Sequence, residues 1–248
     1  MKEQCSPKME LTVQVSRPEA FRCHVKHAVL LCVVIGQPAA WAQDHLEPED
    51  SVYSVSLLDY RVTLATVLGR VLPYNVPKVI VIPSNQREYI VGLAPENMGC
   101  AVVLGRADLL LWRYQVASDE PGMARSLLEG YPRDPLDVPV SIHRRLADTA
   151  LCDRITSVWE VALLDVRYQP CAANQLCEVT VDGVSYHFST WLRGMGTIAG
   201  QTRNPTPESL AGKLVQLTNT MQRFAQTDDP VDRVELERSL ERVEQAMR

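Results

Sequence analysis

The sequence predicts an α+β protein: mainly antiparallel sheet packed against a few helices, closing with an amphipathic C-terminal helix. Three observations carry this. Short runs of alternating apolar and polar residues come in adjacent pairs separated by turn residues, as hairpins require. Helical stripes stand between groups of such runs, so the regular β-α-β order of a parallel sheet is missing and helices on one sheet face are expected. Residues 228–248 space Leu236, Leu240, Val243 and Met247 at helical intervals among charges.

Taken in order, Val52–Leu58 alternates Tyr53, Val55 and Leu57 against Ser54 and Ser56, which predicts a strand. Asp59 then caps a helix whose stripe is Leu64, Val67, Leu68, Val71 and Leu72, stopped by Pro73. Lys78–Ile82 and Glu88–Leu93 form a hairpin across Pro83-Ser84-Asn85-Gln86. Cys100–Leu104 and Asp108–Tyr114 read as a second pair turning at Gly105-Arg106. Residues 118–137 hold Pro121, Gly122, Gly130, Pro132 and Pro135 and mark a sub-boundary within a 52–227 globular domain.

Val138–Arg144 alternates as a strand. Asp148 or Thr149 caps a helix reaching about Tyr168, with Leu151, Ile155, Val158, Trp159, Ala162, Leu163 and Val166 toward the core. Asp182-Gly183 between Glu178–Val181 and Val184–Phe188 carries the two-residue hairpin signature, with a third strand at Thr197–Gln201. Thr206 and Pro207 open a helix with Leu210, Leu214, Leu217, Met221 and Phe224 on one side. The C-terminal helix follows Asp229-Pro230, and docking on its own domain is favoured over pairing with a partner helix.

The N-terminus reads as an export address. Arg17, Arg22 and Lys26 flank an apolar run from Ala28 to Ile35, Gly36-Gln37-Pro38 breaks it, and Ala40-Trp41-Ala42 offers a small-residue cleavage site before Gln43. That order defines a secretory signal over residues 1–42, or 9–42 if Met9 starts the chain. The apolar run is far short of the ~20 residues a membrane anchor needs. Residues 43–51 follow as a loose acidic leader.

Removing 1–42 takes five basic and three acidic residues from totals of 25 and 30, leaving 20 against 27 and a net charge of −7. An acidic chain without a basic cluster is a poor fit to nucleic acid, where attraction to phosphates supplies most of the affinity. No later segment suits a membrane span. Three of the seven cysteines leave with the signal; Cys100, Cys152, Cys171 and Cys177 remain. An even set in an exported chain predicts two disulfides with three possible pairings, of which Cys171–Cys177 with Cys100–Cys152 is preferred.

Candidate chemistry is sparse. Gly194-Met195-Gly196-Thr197-Ile198-Ala199 fits G-x-G-x-x-A, but Gly200 to Pro205 will not form the helix that cradles a pyrophosphate, so a glycine turn between strands is expected and no cofactor. Cys171, Cys177, His143 and His187 lack zinc-site spacing, so no metal is expected either. His187 is the catalytic candidate: Ser185, His187 and Ser189 share one strand face, with Tyr186 and Phe188 on the other. Trp112, Tyr114 and Trp191 are candidate binding aromatics.

The expectation is therefore an exported, soluble, disulfide-stabilised binding or interaction protein of the bacterial periplasm or envelope, or a secreted one. Its partner would be a protein or envelope component. Two alternatives stand beside it: a periplasmic or secreted hydrolase using His187 with carboxylates, and an assembly subunit using the C-terminal helix.

Overall fold

The computed structural model describes residues 46–48, 55–97, 99–111, 132, 134–167 and 183–248, and of residues 55–59 the backbone alone. The elements are β1 (Glu47–Pro48), α1 (Val55–Leu68), β2 (Lys78–Pro83), β3 (Tyr89–Glu96), β4 (Gly99–Ala107), a 3-10 turn (Pro135–Asp137), β5 (Val140–Ala147), α2 (Thr149–Leu164), β6 (Val184–Leu192), β7 (Gly196–Arg203), α3 (Leu210–Gln226) and α4 (Pro230–Ala246). The strands form one sheet in the order β1-β7-β6-β2-β3-β4-β5, and every described neighbour pair is antiparallel. The α+β architecture is as the sequence predicts.

A meander from β2 to β5 builds one half of the sheet. Asp148 then caps α2, its carboxylate accepting from the Leu151 N–H at 2.9 Å, and α2 recrosses the sheet so that the β6–β7 hairpin adds to the free edge of β2. Strand alternation sends Val79, Val81, Tyr89, Val91, Leu93, Val102, Leu104, Tyr186 and Phe188 to the face covered by α2, α3 and α4. Trp159 of α2 is 1% exposed and packs on Phe188, with ring centroids 5.3 Å apart. A disulfide between Cys100 at the start of β4 and Cys152 in the first turns of α2 ties strand to helix, as expected from the sequence.

The C-terminal helix lies on its own domain. Leu236, Leu240 and Val243 are buried in the same core as α2 and α3. Arg154 of α2 holds Glu244 of α4 through two hydrogen bonds of 2.8 and 2.9 Å, and Arg233 bonds both Asp148 and Glu237. Arg145 of β5 closes the far end of this layer. It stacks on Phe224, 4.2 Å from the ring centroid, and donates to the Thr227 and Asp229 carbonyls, which satisfies groups left open where α3 ends.

The opposite face carries α1, so helices lie on both faces rather than one. Leu64, Val67, Leu68, Val71 and Leu72 pack with Ile90, Ala94, Ala101 and Val103. The helix segment comes close because β3 and β4 present glycines there. A Cβ on Gly92 would lie 2.8 Å from Leu72 Cδ1, and one on Gly105 would lie 2.7 Å from Val71 Cγ1.

Several local expectations are overturned. The strand expected at Val52–Leu58 is helical from Val55, and Asp59 lies inside α1 instead of capping it. Residues 57, 60, 64, 67 and 71 keep a three–four spacing, so the helical period already ran through the alternating stretch. Gly105-Arg106 is no turn. β4 runs straight through to Ala107, its second neighbour is β5, and Leu111 is helical. Val184–Phe188, the second strand of the expected Asp182-Gly183 hairpin, pairs instead with β2 and β7, while residues 178–182 lie outside the described residues.

The tight hairpin is instead the Gly194-Met195-Gly196 turn, where both glycines take φ 85° and Met195 N–H donates to the Leu192 carbonyl. The G-x-G motif is thus a strand turn, as expected. The cap of α3 is Ser209 rather than Thr206: Ser209 Oγ accepts from Gly212 N–H at 3.0 Å, and Thr206 forms the preceding turn. The leader is not loose at Leu46–Pro48. β1 pairs with Gln201 and Gly200 of β7, and Leu46 is 3% exposed in the core. Gly200 makes room for it, since a Cβ there would lie 3.2 Å from Leu46 Cβ.

Candidate functional site

The register across β1, β7, β6 and β2 assembles a row that the linear sequence hides. His187 faces Gln201 on one side and Ile80 on the other, and Gln201 in turn faces Glu47. Directly paired residues share a sheet face, so Glu47, Gln201, His187 and Ile80 stand side by side. Ser185 and Ser189 flank His187 along β6, as the alternation predicts. Ser185 pairs with Ile82 and Arg203, and Ser189 with Lys78 and Ala199.

This is the same sheet face that α1 covers farther along, over β3 and β4. Over β6 and β7 the cover is partial. Ser185, His187, Ser189, Ala199, Gln201, Arg203 and Glu47 are half-buried, Trp191 is 40% exposed and Thr197 is exposed. Burial lowers the pKa of Lys78, whose ammonium donates to the Pro73 carbonyl at 2.9 Å.

One end of the row opens into a cavity of about 200 Å³ lined by Tyr60, Ile82, Pro83, Ser84, Gly183, Ser185 and Arg203. Its floor is well tied. Ser84 Oγ accepts from Gly183 N–H at 2.7 Å and donates to the Gly183 carbonyl, fastening the β2–β3 turn to the start of β6. Tyr60 Oη donates to Glu88 Oε1 at 2.6 Å, and Leu111 N–H donates to Glu88 Oε2 at 2.9 Å. Glu88 is fully buried, so these donors matter for its solvation. Burial first, and the Glu88 charge second, push the Tyr60 hydroxyl pKa far above the usual tyrosine range.

Chemically the row offers an acceptor-only carboxylate, an amide, an imidazole, two hydroxyls and a guanidinium, with an indole at its far end. The structure brings Ser185, His187, Ser189 and Trp191 onto one face, as the sequence implies. It adds Glu47, Gln201, Arg203 and the Tyr60–Glu88 pair, which sequence reasoning missed. Gln201 and Arg203 were legible from the alternation of β7; Glu47 was not, because a two-residue strand has no period. His143 lies on β5, four strands from His187 in the sheet order. Among the described residues no group of three or more His, Cys, Asp or Glu is placed to hold a metal. No helix among them is long and apolar enough to cross a membrane. Ala40, Ala42, Gln43, Trp112, Tyr114, Cys171 and Cys177 lie outside the described residues.

Fold and face together define a seven-stranded antiparallel α+β protein with one sheet face closed by three helices and, among the described residues, the other closed by α1 over β3 and β4. Comparison with protein-family models, curated proteins and solved structures finds no match to this chain.

Proposed function

We propose that this chain is an exported, disulfide-stabilised binding protein of the bacterial periplasm or envelope, and that it acts without catalysis. Its contact surface is the half-open face of β6 and β7. The observation that carries the reading is the unequal cover of the sheet. Where α1 stops, the face changes from close-packed aliphatic residues to half-buried polar ones edged by an exposed tryptophan. Such a mixed surface suits a partner that supplies both hydrogen bonds and an apolar contact. The Cys100–Cys152 bond supports an oxidising compartment, as the export signal does.

The test pairs affinity capture from native envelope with substitution of Trp191. Trp191→Ala should abolish capture of a specific envelope component while the melting temperature stays within about 1 °C, because exposed side chains contribute little to stability. Capture that is indifferent to Trp191→Ala and to Gln201→Ala would remove this face as the contact surface. Export is checked separately: the N-terminal residue of the periplasmic or secreted protein should be Gln43.

One observation favours the hydrolase reading as a second possibility. β1 places Glu47 in the same row as His187, so an acid and a base share a face with two serines. A panel of chromogenic esters, amides and glycosides decides it. Turnover that His187→Ala and Glu47→Gln both remove would make the protein an enzyme. Assembly through α4 would have to use its outer surface, where Val231 and Val234 are more than half exposed, since the Leu236–Leu240–Val243 stripe is buried.

A further inference from the structure

The two edges of the sheet are finished differently. At one edge β1 covers part of β7 and inserts Leu46 into the core. At the other, β5 pairs with β4 along its full length, from Val140 to Ala147, and has no second partner among the described residues. Five of its eight residues, Ser141, Ile142, His143, Arg144 and Leu146, are exposed. Ile142 is 50% and Leu146 73% exposed, two aliphatic side chains on one face of the strand. A strand of this length that no other described strand pairs presents a row of backbone donors and acceptors to any extended chain that matches it.

The side chains specify what would match. On the β5 face shared with α1, the sequence is apolar, basic, apolar: Ile142, Arg144 and Leu146. On the other face Arg145 is held by Phe224 and the Thr227 and Asp229 carbonyls, so Arg144 is the cation that β5 presents. Arg144 holds Glu96 only loosely, at 3.8 Å, with both side chains well exposed. β5 thus presents one exposed cation between two exposed aliphatic side chains, on an acidic protein.

A second copy of the chain is a poor occupant. In the antiparallel register that sets Ile142 against Leu146, two-fold symmetry puts Arg144 against Arg144. Like charges directly opposite one another destabilise a strand pair. A two-residue shift relieves that clash only by setting Arg144 against an aliphatic neighbour.

We propose that β5 is a strand-addition site for an extended acidic segment of another protein, with apolar residues flanking a central acidic one. Backbone hydrogen bonds would supply the pairing, and Ile142, Arg144 and Leu146 the selection. This surface is separate from the His187 row, and the inference does not depend on that row.

The probes are a blocked peptide Thr-Val-Glu-Glu-Glu-Val-Thr, its lysine counterpart Thr-Val-Lys-Lys-Lys-Val-Thr, and the glutamate peptide N-methylated on its backbone. Binding to the purified protein is read by amide chemical shifts and fluorescence anisotropy. The glutamate peptide should bind at least tenfold more tightly than the other two and shift amides of β5. Arg144→Glu should reverse the preference between glutamate and lysine, a gain that a misfolded variant could not produce. Equal binding of both charged peptides, binding indifferent to N-methylation, or no binding by any peptide would overturn the proposal. So would a dimer in sedimentation equilibrium that Leu146→Lys dissociates, because the occupant would then be a second copy.

Discussion

The two faces of the sheet are closed by different means. The face under α2, α3 and α4 is sealed by a continuous apolar core, a disulfide and ion pairs between helices. The face under α1 is sealed over β3 and β4 only, through two glycines and a buried Tyr60–Glu88 pair, and then gives way to polar residues. The first arrangement gains its strength from area removed from water. The second depends on a few exact fits.

If that contrast is right, the largest losses should come from the sealed face. Trp159→Ala removes a side chain that is 1% exposed against Phe188 and should cost about 3–5 kcal/mol in denaturant titration. A loss below 1 kcal/mol would mean that α2 is not the main cover. Replacing Cys100 and Cys152 together by serine should cost about 2–4 kcal/mol, since the bond closes a loop with a sequence separation of 52. Adding reductant to the native protein should lower its melting point to that of the double variant.

On the α1 side the decisive change is smaller and polar. Tyr60→Phe deprives buried Glu88 of one donor and should cost about 1–3 kcal/mol. Tyr60→Phe combined with Glu88→Gln should recover part of that loss, which separates a stranded charge from lost packing.

The smallest effect concerns acid. The Leu151 backbone N–H first, and Arg233 second, hold the Asp148 carboxyl below its ordinary value of 3.8, and Arg154 holds Glu244 below 4.5. A depressed folded pKa stabilises the protein above the ordinary value, and that contribution is lost as pH falls through the folded one. Melting temperature should therefore decline as pH drops below about 4.5, modestly because Asp148 is exposed and Glu244 only half-buried. Glu244→Gln should flatten the slope; an unchanged slope would remove this pair from the docking of α4.

What the sequence revealed follows from where each element's signal resides. Helices α2, α3 and α4 were legible because their long stripes lie within single segments, and the Asp148 cap of α2 with them; the Ser209 cap of α3 was missed for Thr206. The Gly194–Gly196 turn was legible because Gly200 to Pro205 could not make a dinucleotide helix. The start of α1 was misread because Ser54 and Ser56 imitate strand alternation over a few residues. Neither Asp182-Gly183 nor Gly105-Arg106 could announce that Val184–Phe188 and Cys100–Leu104 had partners elsewhere, since pairing is settled by distant residues. For the same reason the Ser185–His187–Ser189 face was visible, while nothing local showed that Glu47, Gln201 and Arg203 would lie beside it, although the alternation of β7 put Gln201 and Arg203 on one face.

The pairing of β1 with β7 also sets an order of events. Glu47 meets Gln201 more than 150 residues later in the chain. Of the described strands, the first to be synthesised is therefore among the last that can take its place. Until Arg203 has emerged, Leu46 has no cavity to fill, and that part of the core stays open on the growing chain. A version of the protein that began at residue 49 would leave the β7 edge bare and the Leu46 site vacant for good.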